Sequence, residues 1–312
     1  MGIAGAGLIF IFRDKIGIYD IPNHRSSHQK AIPKGGGIGI LLAFVFSCLI
    51  LWIPFYFWIP SLFISLISLW GGDKHLLSPG QRLVFQFSCS LVFLIFYLFS
   101  IKAAFFSYFL CIPLSVFVVG TSNFYNFMDG IDGIAGITGG IGFSLLAFYS
   151  TLNGNYEPYG ILSVVLACAC FGFLCFNMPK AKVFLGDIGS ILLGFTFACL
   201  IILLSDNIRD FLVMIGFLST FYFDELFTMI IRIRSGDSLI VSHRKHIYQL
   251  LVNELSFSHC KIALTYGAIQ LMVGITLISA SSDLLYLLLS YGVYSIILIG
   301  AAIKIHKKVV VQ

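Results

Sequence analysis

Charge is what this sequence has least of. Asp, Glu, Lys and Arg make up 11% of its 312 residues, and hydrophobic residues 59%. A soluble domain carries about 25% charged and roughly 45–50% apolar residues. A soluble globular chain and a disordered one are both excluded. No ten-residue alternation of apolar and polar residues recurs, which excludes a membrane β-barrel and leaves helices. No CxxC pair exists, and the eight cysteines lie in or beside apolar runs. They read as small buried hydrophobes rather than zinc ligands or a disulfide framework. No basic stretch precedes the opening "MGIAGAGLIFIF", so a cleaved signal peptide is not expected. No GK[ST] follows the glycine run at 35–37, so there is no Walker A loop. Low-complexity segments and long linkers are missing as well, and residues 1–312 read as one membrane domain.

What is present is a series of long apolar runs. A membrane span needs about 20 such residues. The runs predict helices near 36–58, 60–71, 83–101, 103–120, 134–152, 158–176, 188–205, 210–231, 262–280 and 284–303. The segment 60–71 is short, with a break expected near Pro54 and Pro60, and 1–12 is an eleventh, partial span. The fold class is therefore all-α, a polytopic bundle of about 10–11 transmembrane helices. On this threading, 17 of the 19 Lys and Arg residues fall on one side, leaving only Lys102 and Arg209 on the other. That asymmetry places the C-terminus and the large polar loops in the cytoplasm and the N-terminus outside. It also accounts for the net charge of +5 without nucleic acid.

The polar residues of interest crowd the cytoplasmic side. In "NFYNFMDGIDGIAG" (123–136), Asn123, Asn126, Asp129 and Asp132 recur every third residue. On a regular helix a step of three drifts by about 60°, so the spacing predicts a tightened helix end or turn that gathers the four. Two close carboxylates repel unless a cation or a shared proton separates them, and hard oxygen ligands beside phosphate chemistry point to Mg²⁺. In "FLGDIGS" (184–190), Asp187 opens a helix between glycines and is a third carboxylate for that metal, with backbone N–H groups available to phosphate. Asn177, ten residues earlier, is a candidate polar partner. In "HRKHIYQ" (243–249), His243, Arg244 and His246 lack a further zinc ligand at suitable spacing, and Arg244 points to anion binding. In "DIPNHRSSHQKAIPKGGGIG" (20–39), Arg25, His28, Lys30 and Lys34 precede glycines whose N–H groups could approach an anion. In "GGDKHLLSPGQR" (71–82), Asp73 is the lone acid. Asp224 and Glu225 lie inside an apolar run near Arg232 and read as a structural salt link within the bundle.

Together and in this order, "PNHRSSH…IPKGGG", "NFYNFMDGIDGIAG", "FN…FLGDIGS" and "HRKHIYQ" resemble the polyprenyl-phosphate N-acetylhexosamine-1-phosphate transferases. These form the glycosyltransferase 4 superfamily of undecaprenyl-phosphate GlcNAc-1-phosphate transferases and phospho-MurNAc-pentapeptide translocases. The resemblance covers nearly the whole chain, and the "HRKHIYQ" form is similar to the O-antigen or capsule-initiating branch. It implies an Mg²⁺-dependent enzyme (Mn²⁺ as a substitute) of the bacterial inner membrane. Its active site would be cytoplasmic, its substrates undecaprenyl phosphate and a UDP-N-acetylhexosamine, and its products the lipid-diphosphate-sugar and UMP. A homodimer is left open. The resemblance makes Asp187 the metal ligand and Asp129 a catalytic acid. Asn126 and Asn177 would line the site, Asp132 would lie near the uracil, and Phe184 would stack on it. His243, Arg244 and His246 would contact the sugar or diphosphate.

Two departures stand out. The family has two adjacent Asp residues where this chain has Gly72–Asp73, so either Asp73 suffices or activity is reduced. The first segment is also short. The rival from another class is a transporter with an acidic ion path, which predicts ionisable residues at mid-membrane. A CDP-alcohol transferase is excluded because the "DGIAG" stretch lacks the required continuation.

Overall fold

The computed structural model describes residues 1–22, 27, 30–73, 77–154, 157–238 and 244–310. Lipid offers no partner to a backbone N–H or C=O, so the apolar runs close their hydrogen bonds within helices. In chain order these are α1 (Gly2–Ile11), α2 (Arg13–Ile16), α3 (Ile38–Ile50), α4 (Phe55–Asp73), α5 (Pro79–Ser100), α6 (Cys111–Met128) and α7 (Ile134–Asn153). They continue with α8 (Glu157–Asn177), α9 (Asp187–Leu204), α10 (Ile208–Ile215), α11 (Ser219–Arg234), α12 (Ile247–Asn253), α13 (His259–Ser279) and α14 (Leu284–Val310). Among the described residues, eight helical stretches are long and apolar enough to cross a membrane, and Gly2–Ile11, Ile38–Ile50 and Phe55–Leu69 are shorter apolar helices. The eleven expected segments are thus all helical, in a multi-pass all-α architecture.

One boundary falls where expected and one differs. The run 36–58 breaks at 51–54, ending in Pro54, and the next helix starts inside that run at Phe55. Pro60 lies inside α4, where it leaves one backbone bond unmade without ending the helix. The run 103–120 continues as regular α-helix to Met128. Thr121–Met128 looks like a loop by composition because its polar residues are many. They face neighbouring helices, so the segment is a helix with an inward polar stripe.

α9 is the central post. Every residue from Ile188 to Leu204 is buried, against α3, α4, α6, α7 and α10. Its contact with α6 is close because Gly194 has no side chain. A Cβ there would lie 2.7 Å from the Cα of Ser122, and small residues are how membrane helices let backbones approach. The Ser122 hydroxyl completes the join by donating to the Ile191 carbonyl at 3.1 Å.

The polar ends gather at one end of the bundle. A small antiparallel hairpin, β1 (Tyr19–Asp20) and β2 (Ile32–Pro33), pairs Tyr19 with Pro33 and Asp20 with Ile32. It is stitched to the loop before α9, since Phe184 N–H donates to Pro33 O at 2.9 Å and Lys34 bridges Phe184 in parallel. The glycines that follow do not cradle an anion, contrary to the sequence expectation. Gly35 and Gly36 N–H both donate to Phe184 O, and Gly37 N–H to Leu185 O. What the glycines permit is close packing. A Cβ on Gly37 would stand 2.4 Å from the Cα of Gly189.

Candidate active site

The site begins where three helix ends meet. α5 opens at Ser78 with a capping box to Gln81 and Pro79 in its first turn, signals that fix a helix start. The next residue is Arg82, whose Nη2 donates to Asp187 Oδ2 at 2.9 Å. Asp187 is the first residue of α9. Its other oxygen accepts from Asn126 Nδ2 of α6 at 3.3 Å, and the same Nδ2 donates to Ser190 Oγ at 2.7 Å. One turn after Arg82 on α5 and one turn before Asn126 on α6, Gln86 and Asn123 exchange reciprocal amide hydrogen bonds of 3.2 and 2.6 Å. This pair keeps α5 and α6 in register, so that Arg82 and Asn126 converge on one carboxylate.

Asp129 terminates α6 and is half-buried. Burial raises its pKa to about 7; the negative charges of Asp187, Asp132 and Asp20 add to this, and Lys34 opposes it. The recess therefore brings several carboxylates within electrostatic reach of one another, with Lys34 and Arg82 as the cations beside them. Lys34 Nζ also lies 3.5 Å from Asp20 Oδ1.

The four residues spaced by three are not gathered by a tightened helix end. Asn123 goes to Gln86, Asn126 to Asp187 and Ser190, and Asp129 to the recess. Asp132 lies beyond the helix. Its Oδ2 accepts from Ala181 N–H at 3.2 Å and stands 3.3 Å from His259 Nδ1. Asn177 braces this turn rather than facing a substrate. Its Oδ1 accepts from Gly133 N–H at 2.7 Å and its Nδ2 donates to Val183 O at 3.0 Å, which ties the acidic turn to the loop carrying Phe184.

His246 is the clearest correction. Expected at the sugar or diphosphate, it is 3% exposed, with Nδ1 3.4 Å from Asp224 and Nε2 3.5 Å from Glu225. Burial lowers its pKa, but the two acids outweigh that and hold it above the ordinary value. Acids inside a membrane bundle need a partner, and the imidazole supplies it. Asp224 also accepts from Ile247 N–H, Tyr248 N–H and the Tyr266 hydroxyl at 2.8, 3.1 and 2.6 Å. The structural role read for Asp224 and Glu225 stands, with His246 beside both acids. Through this anchor, the Tyr248 hydroxyl reaches Phe127 O at 3.1 Å, seating α12 beneath the acidic turn. Arg244 pairs with Glu254 at 2.8 Å.

Lys30 is exposed, and Phe184 is half-buried at the edge of the recess. Arg25, His28 and His243 lie outside the described residues, and so does the side chain of Asp73 at the end of α4. Sequence reasoning missed Arg82, Asp20 and His259, and weighed Lys34 only as part of a basic loop. A signal for Arg82 existed. A cation in the first turn of a helix opposes the dipole, and one placed behind a strong "SPGQ" cap calls for a facing acid.

A bundle of membrane-crossing helices with acids, amides and an arginine converging at one end has the chemistry of a membrane enzyme that handles anionic substrates. Residues 54–205 match the model of glycosyl transferase family 4. The chain is 28% identical, over 88% of its length and 80% of the relative's, to a protein of Bacillus subtilis (strain 168) described as a probable undecaprenyl-phosphate N-acetylglucosaminyl 1-phosphate transferase. A decaprenyl-phosphate N-acetylglucosaminephosphotransferase of Mycobacterium tuberculosis (strain CDC 1551 / Oshkosh) is 32% identical over 42% of this chain and 35% of its own length. A phospho-N-acetylmuramoyl-pentapeptide-transferase of Shouchella clausii (strain KSM-K16) is 28% identical over 57% of this chain and 63% of its own.

Proposed function

We propose that this protein transfers N-acetylhexosamine-1-phosphate from a UDP-N-acetylsugar to undecaprenyl phosphate at the cytoplasmic face of the inner membrane. The product would begin a lipid-linked surface glycan such as an O-antigen, capsule or wall polymer. An oxygen of the lipid phosphate attacks the sugar-bound phosphorus, the bond to the UMP oxygen breaks, and UMP leaves. The observation that carries this reading is the convergence of Asp187, Asn126, Arg82 and Asp129 at the end of the bundle where most Lys and Arg residues lie.

Among the described residues no group of three or more His, Cys, Asp or Glu side chains is gathered as a ready metal cage. That donor set fits Mg²⁺, which is held by one or two carboxylates together with water and substrate phosphates. Asp187 would hold it, with Asp129 beside it, and the raised pKa of Asp129 is the electrostatic demand such a cation would meet. When bound, Mg²⁺ would neutralise charge on the diphosphate. Arg82 and Lys34 attract and orient the anions. Asp129, which shares the recess with Asp187, would take the proton of the acceptor phosphate. Asp132 sits past the turn for the nucleoside, with Phe184 across the loop.

The lipid tail has a place to lie. An apolar cavity of about 620 Å³ runs between α6, α11 and α14, lined by Phe117, Phe124, Tyr222, Phe227 and Leu298. Phe124 is two residues from Asn126 and about 200° round α6 from it, so the cavity lies at the height of the recess on another face of that helix. The test is UMP release by the purified protein with undecaprenyl phosphate, Mg²⁺ and a panel of UDP-N-acetylsugars. No release with any sugar, beside an active control enzyme, would overturn the proposal.

A further inference from the structure

Arg82 stands against its own helix dipole, and it does so to reach a carboxylate 105 residues away in sequence. The two side chains are each about a quarter exposed, 28% and 26%, so water screens the pair only in part. With Arg82 on Oδ2 and Asn126 on Oδ1, both oxygens of Asp187 already have protein donors. A divalent cation on Asp187 must contend with the guanidinium for Oδ2, and two cations on one carboxylate repel. The reciprocal Gln86–Asn123 pair one turn away holds the helices in register. Relief therefore comes from the Arg82 side chain and not from movement of α5.

Resting on the assignment of Asp187 as the metal ligand, we propose that Arg82 is a displaceable counter-ion. It holds the Asp187 carboxylate ionised and oriented while the metal is absent. It transfers its guanidinium to the donor diphosphate once a divalent cation takes Asp187. A guanidinium suits both stations, because its forked donors match carboxylate and phosphate oxygens equally. No bond is made or broken in this exchange; one anion replaces another in front of the same cation. The arrangement couples the two arrivals. The metal frees the group that the diphosphate needs, and the diphosphate removes the group that opposes the metal.

This gives metal and donor affinity opposite responses to loss of Arg82, which a merely structural role would not. Mn²⁺ binding is measured by electron paramagnetic resonance on purified protein in detergent without substrate. The wild type is compared with Arg82→Gln, Arg82→Lys and Asp187→Asn. Arg82→Gln is expected to bind Mn²⁺ about tenfold more tightly than wild type, the equivalent of one charge-assisted hydrogen bond removed from the competing side. Its UMP release at saturating Mg²⁺ should fall about 100-fold, as when one donor to a reacting anion is lost. Arg82→Lys should fall between the two in both measurements. If Arg82→Gln does not fold, Arg82→Lys decides, and Mn²⁺ affinity at or below wild type overturns the proposal. Unchanged or weaker Mn²⁺ binding in Arg82→Gln, with binding lost in Asp187→Asn, overturns the counter-ion role and leaves the metal assignment standing. Unchanged binding in Asp187→Asn overturns the metal assignment itself.

Discussion

In the metal-free protein Asp129 should be a point of pH-dependent weakness, and replacing it should strengthen the fold at one pH and not at another. Its pKa rises from 3.8 to about 7, first because the carboxyl is desolvated and then because it faces Asp187. Between those values the folded chain keeps a proton that the unfolded chain releases. Stability therefore falls as pH rises, by up to about 1.4 kcal/mol per pH unit, and levels off above the folded pKa. The full loss is on the order of 4 kcal/mol, and partial solvent access at the recess reduces it to roughly 2–3 kcal/mol. Asn has the shape of the protonated acid and does not titrate. Asp129→Asn should match wild type to within about 1 °C at pH 4 and exceed it at pH 8 by roughly 5 °C in Tm, taking about 2 °C per kcal/mol for a chain of this size. Intrinsic-fluorescence melting in detergent with EDTA at the two pH values measures this. Excess Mg²⁺ should close the gap at pH 8, because a bound cation relieves the repulsion that Asn removes. The same Tm difference at both pH values, or a lower Tm for the variant at pH 8, would refute the electrostatic account of the recess.

Three further outcomes follow from packing and hydrogen bonding. Gly37→Ala puts a methyl 2.4 Å from the Gly189 Cα, where backbone cannot step aside; it should cost about 1–3 kcal/mol or more, and a melting temperature equal to wild type would show the contact to be loose. Gln86→Leu strands the half-buried Asn123 Oδ1, while Nδ2 keeps the Val119 carbonyl at 2.8 Å, at a cost of about 1–3 kcal/mol; the double change Gln86→Leu with Asn123→Leu should recover most of it, and strict additivity in the double-mutant cycle would deny the pairing. Asp224→Asn removes the charge that faces His246 and weakens the anchor of α12, by about 3–5 kcal/mol for a broken buried pair. Amide exchange across 247–253 should accelerate, and protection as in wild type would argue against the anchor.

The bundle was legible because lipid leaves a chain few choices. Runs of apolar residues long enough to span must be helical, and all eleven segments proved to be so. What the runs could not show was where a helix continues under polar composition. Thr121–Met128 reads as loop until Asn123 and Asn126 are seen meeting Gln86 and Asp187 inside the bundle. Asp129 and Asp187 were legible as the acids of one site, since carboxylates at the edge of an apolar run need a reason to be there. Arg82 was legible only as a cation set against its helix dipole, because the acid it meets lies in another helix 105 residues away. The glycines at 35–37 misled in the opposite direction. Three glycines before a helix suit an anion cradle and a close backbone crossing equally, and only the carbonyls of Phe184 and Leu185, which take their N–H groups, separate the two. His246 misled because a histidine near a basic turn reads as a ligand contact, whereas two acids buried earlier in the chain had already claimed it.

The central place of α9 bears on how such a protein comes into being. The helices that enclose its upper end, α3, α4, α6 and α7, are all made before it, and so are both groups that meet Asp187, from Arg82 in α5 and Asn126 in α6. A nascent chain that has just released Leu204 into the membrane therefore holds every piece of the recess around Asp187. The later helices add the seat under the acidic turn, through Tyr248 and His259. Synthesis can thus assemble the Asp187 half of the recess first and close the floor beneath it last, so that a ribosome stalled past α9 would carry a folded but unfinished centre.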